Sequence, residues 1–184
     1  MGTGCSRSDP VTPMGQSGRL YGLDELVNTT TGTFEENYEM REELGEGGFG
    51  SVQRVRARQT GWEYACKRMV TKEIRSDWLK NEVQILRECR HPNIVFLKET
   101  FVTEEHVYLI LQLAKGGPLI EEIVRRGGVS EKYAAAVTMQ VAAALEYMHG
   151  KGIMHRDMKP DNLLLCNAKS SHPVVKVCDF GLSE

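Results

Sequence analysis

Short segments in which apolar and polar residues alternate recur between about residue 38 and residue 113. A period of two is the spacing of a β-strand that buries one face. The alternation, with the turn residues that interrupt it, predicts strands over 38–44, 52–58, 62–70 and 107–113, and a strand region from residue 91 to residue 101. The turn between the second and third strands is predicted at Gln59, Thr60 and Gly61.

Helical spacing of apolar residues appears in two longer segments. Residues 76–89 place Trp78, Leu79, Val83 and Leu86 on one face, with Ser76 as the expected cap. Residues 130–149 carry a second apolar stripe, with Ser130 as cap and Gly150 as the closing residue. A further helix is expected to begin at Leu119, and short buried strands are expected over 163–165 and 174–177.

Composition narrows the class of protein. The formal charge is -2, with no basic surface or acidic tail, so no nucleic-acid partner is expected. The five cysteines are scattered and form no C-x-x-C pair, which favours a reducing, cytoplasmic compartment. No apolar run approaches the length that spans a bilayer.

The N-terminal arm, residues 1–35, is rich in Gly, Ser, Thr and Pro and is predicted to be flexible. Its first residues fit the N-myristoylation pattern, with Gly2 as acceptor and Ser6 in the hydroxyl position. Cys5 is then a candidate palmitoylation site, which would place the chain at a membrane surface. An ordinary flexible start is the alternative.

The glycines Gly45, Gly47 and Gly50 have the spacing G-x-G-x-x-G, which alone is a weak signal. A dinucleotide-binding fold would continue from these glycines into a helix. Here Val55 and Ala57 alternate with arginines after the glycines, which is a strand pattern. A glycine turn between two strands indicates a flap whose backbone N–H groups cover phosphates.

Residues 155–162 bring three polar groups of different chemistry into one loop. Asp157 can accept a proton from a hydroxyl, Lys159 can neutralise a phosphoryl oxygen, and Asn162 can offer an oxygen to Mg²⁺. Pro160 is expected to keep the backbone between them from being helical.

The order His-Arg-Asp-x-Lys-Pro-x-Asn resembles the catalytic loop of the protein kinases. The stretch Tyr64-Ala65-Cys66-Lys67 is similar to the kinase strand V-A-I-K, and Asp179-Phe180-Gly181 to the D-F-G motif. Among kinases, the chain looks most like the calcium/calmodulin-dependent and calcium-dependent group, although Pro118 follows Gly116-Gly117 where an acidic residue is usual. That difference puts a preference for basic substrates in doubt, and no EF-hand loop occurs to support calcium control.

The resemblance implies an α+β, two-lobed fold, with a small lobe over 36–114 and a partial large lobe over 115–184. It also implies an ATP- and Mg²⁺-dependent kinase acting on serine or threonine of a protein substrate. Asp157 would be the base, with Lys159 and Lys67 as further catalytic groups, and Asn162 and Asp179 would hold Mg²⁺. Glu82 would pair with Lys67, and Phe180 would stack beneath His155. The remaining nucleotide contacts would be Leu44, Gly45, Glu46, Gly47, Gly48, Phe49, Gly50, Val52, Ala65, Leu111, Gln112, Ala114, Asp161 and Leu164.

The sequence stops at Glu184, shortly after the D-F-G motif, whereas a kinase domain normally continues. We therefore expect a truncated product or a partial gene model, of low activity alone. Arg156 would normally neutralise a phosphorylated residue in the segment that is missing. The alternative function is a non-catalytic, membrane-tethered ATP-binding or decoy module.

Overall fold

A computed structural model describes residues 32–47, 50–167 and 171–184, together with Leu23 and Leu26. The acylation candidates Gly2 and Cys5 and the flap residues Gly48 and Phe49 lie outside the described residues. None of the helices in the described part of the chain has the length and apolar character needed to cross a bilayer.

An antiparallel sheet with its helices comes first along the chain, and a mainly helical region with a smaller sheet follows. In the first part they are α1 (Phe34–Asn37), β1 (Tyr38–Gly47), β2 (Gly50–Ala57), β3 (Glu63–Val70), α2 (Ser76–Glu88), β4 (Leu97–Val102) and β5 (His106–Gln112). In the second part they are β6 (Gly117–Pro118), α3 (Leu119–Arg126), α4 (Glu131–His149), a 3₁₀ turn (Pro160–Asn162), β7 (Leu163–Leu165) and β8 (Val175–Val177).

The first sheet has five strands in the order β1-β2-β3-β5-β4, all antiparallel. Both faces of the sheet pack against hydrophobic clusters, because alternate side chains of β3 point to opposite sides. Met69 joins the cluster that includes α2, whereas Cys66 joins a second cluster with Tyr38 and Phe34. The alternation read from the sequence is therefore confirmed, and Ala65 and Lys67 share the face toward α2.

The α2 helix buries Leu79, Val83 and Leu86, as its apolar spacing predicts, whereas Trp78 is 43% exposed. Its start differs from the prediction. Arg75 is the N-cap residue, no side chain caps the helix, and Ser76 is the first helical residue. The helix therefore depends on its buried face and not on a strong cap.

The α4 helix begins as predicted, since the Ser130 hydroxyl accepts a hydrogen bond from the backbone N–H of Tyr133. At its other end Gly150 is the C-cap but keeps a right-handed backbone, with φ of -63°. The left-handed glycine follows at Gly152, with φ of 76°. The α4 helix packs beside a three-stranded sheet of order β6-β7-β8.

The end of the predicted arm belongs to the folded body. Phe34 begins α1 after a capping box formed by Thr33 and Glu36, and its ring stacks 4.3 Å from that of Tyr108. Leu23 and Leu26 are also buried. The sequence analysis assigned all three to the arm because of its Gly, Ser, Thr and Pro content, although further apolar residues, among them Leu20 and Val27, lie next to the two leucines.

Candidate functional site

The polar loop at residues 155–162 is held between α4 and β7 by its own hydrogen bonds. Pro160 starts the 3₁₀ turn that ends at Asn162, so the expectation of a non-helical backbone is wrong at this point. Proline is tolerated there because the first residue of a helical turn needs no N–H donor. The turn places Asn162, which is buried, directly ahead of β7.

Asp157 is the centre of this loop. The Asn162 amide nitrogen donates to the Asp157 backbone carbonyl at 2.7 Å and to its Oδ2 at 2.8 Å. Lys159 Nζ donates to the same Oδ2 at 2.7 Å. The hydrogen bonds from Lys159 and Asn162 lower the Asp157 pKa. Asp157 is thus an ionised, oriented carboxylate, while Asp161 is exposed beside it.

Lys67, Glu82 and Asp179 form a second constellation. Lys67 Nζ donates to Glu82 Oε1 at 2.7 Å and lies 3.6 Å from Asp179 Oδ1. The side chains of Lys67 and Glu82 are 12% and 7% exposed. Burial alone would lower the Lys67 pKa, but the charges of Glu82 and Asp179 more than offset it, so the Lys67 pKa is raised. Lys67 is therefore a fixed cation that links its own strand, β3, to the α2 helix.

His155 connects the loop that carries Asp157 to the segment that carries Asp179. Its Nδ1 accepts a hydrogen bond from the Asp157 N–H at 3.3 Å, so the neutral ring carries its proton on Nε2, 3.0 Å from the Cys178 carbonyl. Its ring centroid is 5.0 Å from that of Phe180, with the planes tilted by 59°. The rings are in contact as expected but are tilted and not stacked. Burial lowers the His155 pKa, which favours this neutral form.

The backbone also joins Asn162 to Asp179. The Cys178 N–H donates to the Asn162 carbonyl at 3.0 Å, immediately before Asp179. Asp179 has a left-handed backbone with φ of 62°, an uncommon conformation for a residue with a side chain. Strain of this kind persists where the surrounding structure requires it.

The sheet brings other predicted residues to the same face. Val52 is the cross-strand partner of Lys67 and Ala65 that of Leu111, whereas Gln112 pairs with Tyr64 on the opposite face. Val52, Ala65 and Leu111 are partly exposed, as lining residues of a cleft would be. Leu164 is paired with Pro118 in the second sheet. Ala114 lies just beyond β5, where its carbonyl accepts from the Gly117 N–H at 3.3 Å.

The flap residues are only partly described. Leu44, Gly45 and Glu46 are exposed on β1, and Gly47 pairs with Gly50 across the turn. Gly50 has φ of 147°, and a Cβ there would lie 2.1 Å from the Arg68 carbonyl oxygen. Only glycine fits this position, because any side chain would force β2 away from β3.

Residues 38–184 match the family described as "Protein kinase domain", which covers most of the chain. The chain belongs to the protein kinase family. Relatives with similar sequences are kinases too. They include myosin light chain kinase A of Dictyostelium discoideum, 44% identical over 153 residues, and calcium-dependent protein kinase 32 of Arabidopsis thaliana, 39% identical over 171 residues.

Those alignments cover 82% and 90% of this kinase chain but only 52% and 32% of the two relatives. A calcium/calmodulin-dependent protein kinase type II of Caenorhabditis elegans is 40% identical over 161 residues, which is 86% of this chain and 22% of that protein. The kinase chain thus spans about half, or less, of the relatives that it matches.

The donor set of the kinase site suits Mg²⁺. Asn162 uses its amide nitrogen for both hydrogen bonds to Asp157, so its carboxamide oxygen is the atom available to a cation. Asp179 adds a carboxylate whose side chain is 46% exposed. One or two hard oxygen ligands, with water and phosphate completing the shell, are typical of magnesium sites. Among the described residues, no group of three or more His, Cys, Asp or Glu side chains is arranged to hold a metal ion.

Two contacts of the kinase site were not predicted. Asn81 on α2 donates to the Ser183 carbonyl at 2.7 Å. Arg156, with φ of 62°, donates from Nε to the Leu182 carbonyl at 2.7 Å and pairs with the carboxylate of Glu184. Both contacts join the segment after Gly181 to the rest of the site.

Proposed function

We propose that the protein is a serine/threonine kinase, which transfers the γ-phosphoryl group of ATP to a hydroxyl of a protein substrate with Mg²⁺ as cofactor. The observation that carries the proposal is the joint arrangement of the Lys67–Glu82 pair and the Asp157–Asn162–Lys159 cluster. One constellation supplies a fixed cation for phosphates, and the other supplies an oriented base beside a metal ligand.

The residues divide the chemistry between them. Asp157 orients the attacking hydroxyl and accepts its proton as the oxygen bonds to the γ-phosphorus. Lys159, 2.7 Å from Asp157, is placed to stabilise charge on the transferred phosphoryl oxygens. Lys67 holds the phosphates that leave as ADP, when the bond from the γ-phosphorus to the bridging oxygen breaks. Bound Mg²⁺, held by Asn162 and Asp179, would neutralise charge between the phosphates.

The preference for serine or threonine rests on Lys159, as the family resemblance implies. Substrate selection near α3 has less support. Glu122, close to Pro118, is buried and accepts hydrogen bonds from Arg125 at 2.5 Å and Arg126 at 2.5 Å. It is therefore engaged within its own helix, and Glu121 is the exposed acid of this pair.

The test combines binding and transfer in the 184-residue chain. Wild type and Asp157→Asn are incubated with γ-labelled ATP, Mg²⁺ and a serine- and threonine-containing protein, and ATP binding is measured in parallel. We expect equal binding and at least a hundredfold slower transfer in the variant. Asp77→Asn, an exposed carboxylate at the start of α2, is the matched control.

Two outcomes would contradict the proposal. If Asp157→Asn transferred label as fast as wild type, the assigned base would be wrong. If both chains bound ATP and neither transferred label, the alternative would hold, namely an ATP-binding module without catalysis. We expect wild-type transfer to be slower than the ~1–100 s⁻¹ of typical kinases, because the chain spans about half of its relatives.

A further inference from the structure

The α2 helix is attached to a part of the chain that precedes the family match. Leu23 and Leu26 come before residue 38, where the protein kinase domain begins, yet they are only 3% and 4% exposed. Both belong to the hydrophobic cluster that contains Leu79 and Val83 of α2. Arg87, in the last turn of α2, donates from Nη2 to the Leu26 carbonyl at 2.5 Å.

The two leucines are held together as one short turn. The Leu26 N–H donates to the Leu23 carbonyl at 2.9 Å. Ordering a segment of this kind costs conformational entropy, which the burial of two leucine side chains offsets. Docking on the core, together with a guanidinium bond to its backbone, makes this turn a specific attachment. We name Leu23 and Leu26 the leucine turn.

The helix that receives the leucine turn also carries Glu82. Arg87 lies about 1.4 helical turns beyond Glu82 on the same continuous helix. Glu82 reaches Lys67 through a single 2.7 Å hydrogen bond. Helix shifts of about 1–2 Å are common in conformational switching. A shift of that size would break the bond, since hydrogen bonds weaken steeply with distance.

We propose that the leucine turn is a positioning element, which holds α2 where Glu82 meets Lys67. Arg87 anchors the C-terminal end of α2 through its hydrogen bond to Leu26. The hydrogen bond from Asn81 to Ser183 holds the helix at the position next to Glu82. The consequence for phosphate binding by Lys67 rests on the proposed function. The effect on the Lys67–Glu82 pair does not, because the pair is a direct hydrogen bond between two side chains of the chain itself.

The experiment measures how accessible Lys67 is in the full 184-residue chain without ATP. An amine-reactive reagent is added, and the labelling rate of Lys67 is read by mass spectrometry relative to that of half-buried Lys176 on β8. The ratio cancels a general loosening of the protein. Opening of the Lys67–Glu82 pair exposes the amine and raises the ratio.

The variant Leu23→Asp/Leu26→Asp undocks the leucine turn, and Leu26→Ala is a milder variant in case the first does not fold. Leu23→Met/Leu26→Met keeps the burial and should behave like wild type. Val124→Asp is the matched control, because Val124 is a 72% exposed apolar residue on α3. Each variant is made with Glu82 present and in a Glu82→Gln background.

We expect undocking to raise the Lys67 ratio at least fivefold with Glu82 present, and less than twofold in the Glu82→Gln background. This coupling identifies positioning, because a residue that only adds stability changes both backgrounds equally. An equal rise in both backgrounds, or no rise with Glu82 present, would overturn the proposal. Failure of the chain to bind ATP would count against the proposed function alone, since labelling uses no nucleotide.

Discussion

The side chain of Asn81 on α2 donates a 2.7 Å hydrogen bond to the backbone carbonyl of Ser183, beyond the Asp179-Phe180-Gly181 motif. Ser183 is itself buried, and its hydroxyl donates to the His155 carbonyl at 3.2 Å. The segment after Gly181 therefore touches both the helix that carries Glu82 and the loop that carries Asp157. The segment therefore contacts both halves of the site.

We expect Asn81→Ala to lower the free energy of unfolding by about 1 kcal/mol, because a partly buried carbonyl loses its donor. Urea unfolding followed by fluorescence measures the change. Gln84→Ala is the control on the same helix, where an exposed Gln84–Glu88 bond of 3.0 Å is lost. If both variants lost the same stability, the Asn81 contact would have no special role.

We expect Glu82→Gln to lower the Lys67 pKa, because burial of the lysine remains while its main counter-charge is removed. The raised pKa stabilises the native chain at pH values below the ordinary lysine value of 10.5, and this contribution disappears as pH rises through the native pKa. Breaking one side of a buried pair costs roughly 3–5 kcal/mol, and Asp179 reduces that cost here.

The Lys67 pKa is measured by NMR titration of labelled lysine side chains. Glu63→Gln is the matched control, since Glu63 pairs at 2.8 Å with Lys115, whose side chain is 63% exposed. It should leave Lys67 and the unfolding free energy unchanged. An unaltered Lys67 pKa in Glu82→Gln would show that Asp179 alone holds the charge.

Mild acid should destabilise the protein through His155. Burial lowers its native pKa below the ordinary value of 6.5, so the unfolded chain binds the proton first as pH falls. Stability is therefore retained above about 6.5 and is lost between that pH and the lower native pKa. The slope from this residue is at most about 1.4 kcal/mol per pH unit.

His91 has a lowered pKa as well and contributes with the same sign, so the His155 share is found by difference. Unfolding free energies of wild type and His155→Gln are compared between pH 5.5 and about 6.5. The variant should show the shallower slope. Identical slopes for the two proteins would assign the acid sensitivity to other groups.

We propose that acylation at Gly2 and Cys5 places the protein on a membrane. One myristoyl chain gives only marginal binding, with an association constant of roughly 10⁴ M⁻¹, so stable attachment needs a second signal. Cell fractionation should show Gly2→Ala in the soluble fraction and Cys5→Ser in weak, exchanging attachment. Thr3→Ala is the control and should behave as the parent. A Gly2→Ala protein that stayed fully with the membrane would exclude this mechanism.

Much of the fold was predictable because its strands bury alternate residues. Val55 and Ala57 were placed by their alternation with arginines, and both lie in the core. The pairing of Lys67 with Glu82 was also predicted, because the resemblance to protein kinases implied it. Such features combine a local period with side chains of distinctive chemistry.

Other features had no such signal. Asn81 binds a backbone carbonyl, and a carbonyl exists at every position, so residue types could not single out Ser183. The composition of the arm as a whole placed Leu23 and Leu26 in it, and the short apolar stretch from Leu20 to Val27 is too brief to outweigh that composition. The start of α2 was misassigned because Ser76 has the chemistry of a cap, whereas the N-cap is Arg75, one position earlier. Tertiary contacts decided each of these cases.

The pairing of β3 with β5 has a consequence for how the protein folds. The strands β1, β2 and β3 join through chain neighbours, and so do β4 and β5, so these hairpins close short loops. The β3–β5 pairing instead joins Val70 to His106 and encloses all of α2. Closing that longer loop costs more chain entropy, so it follows the hairpins. The Lys67–Glu82 contact joins residues 15 apart inside that loop, so its own closure costs less chain entropy than the β3–β5 pairing.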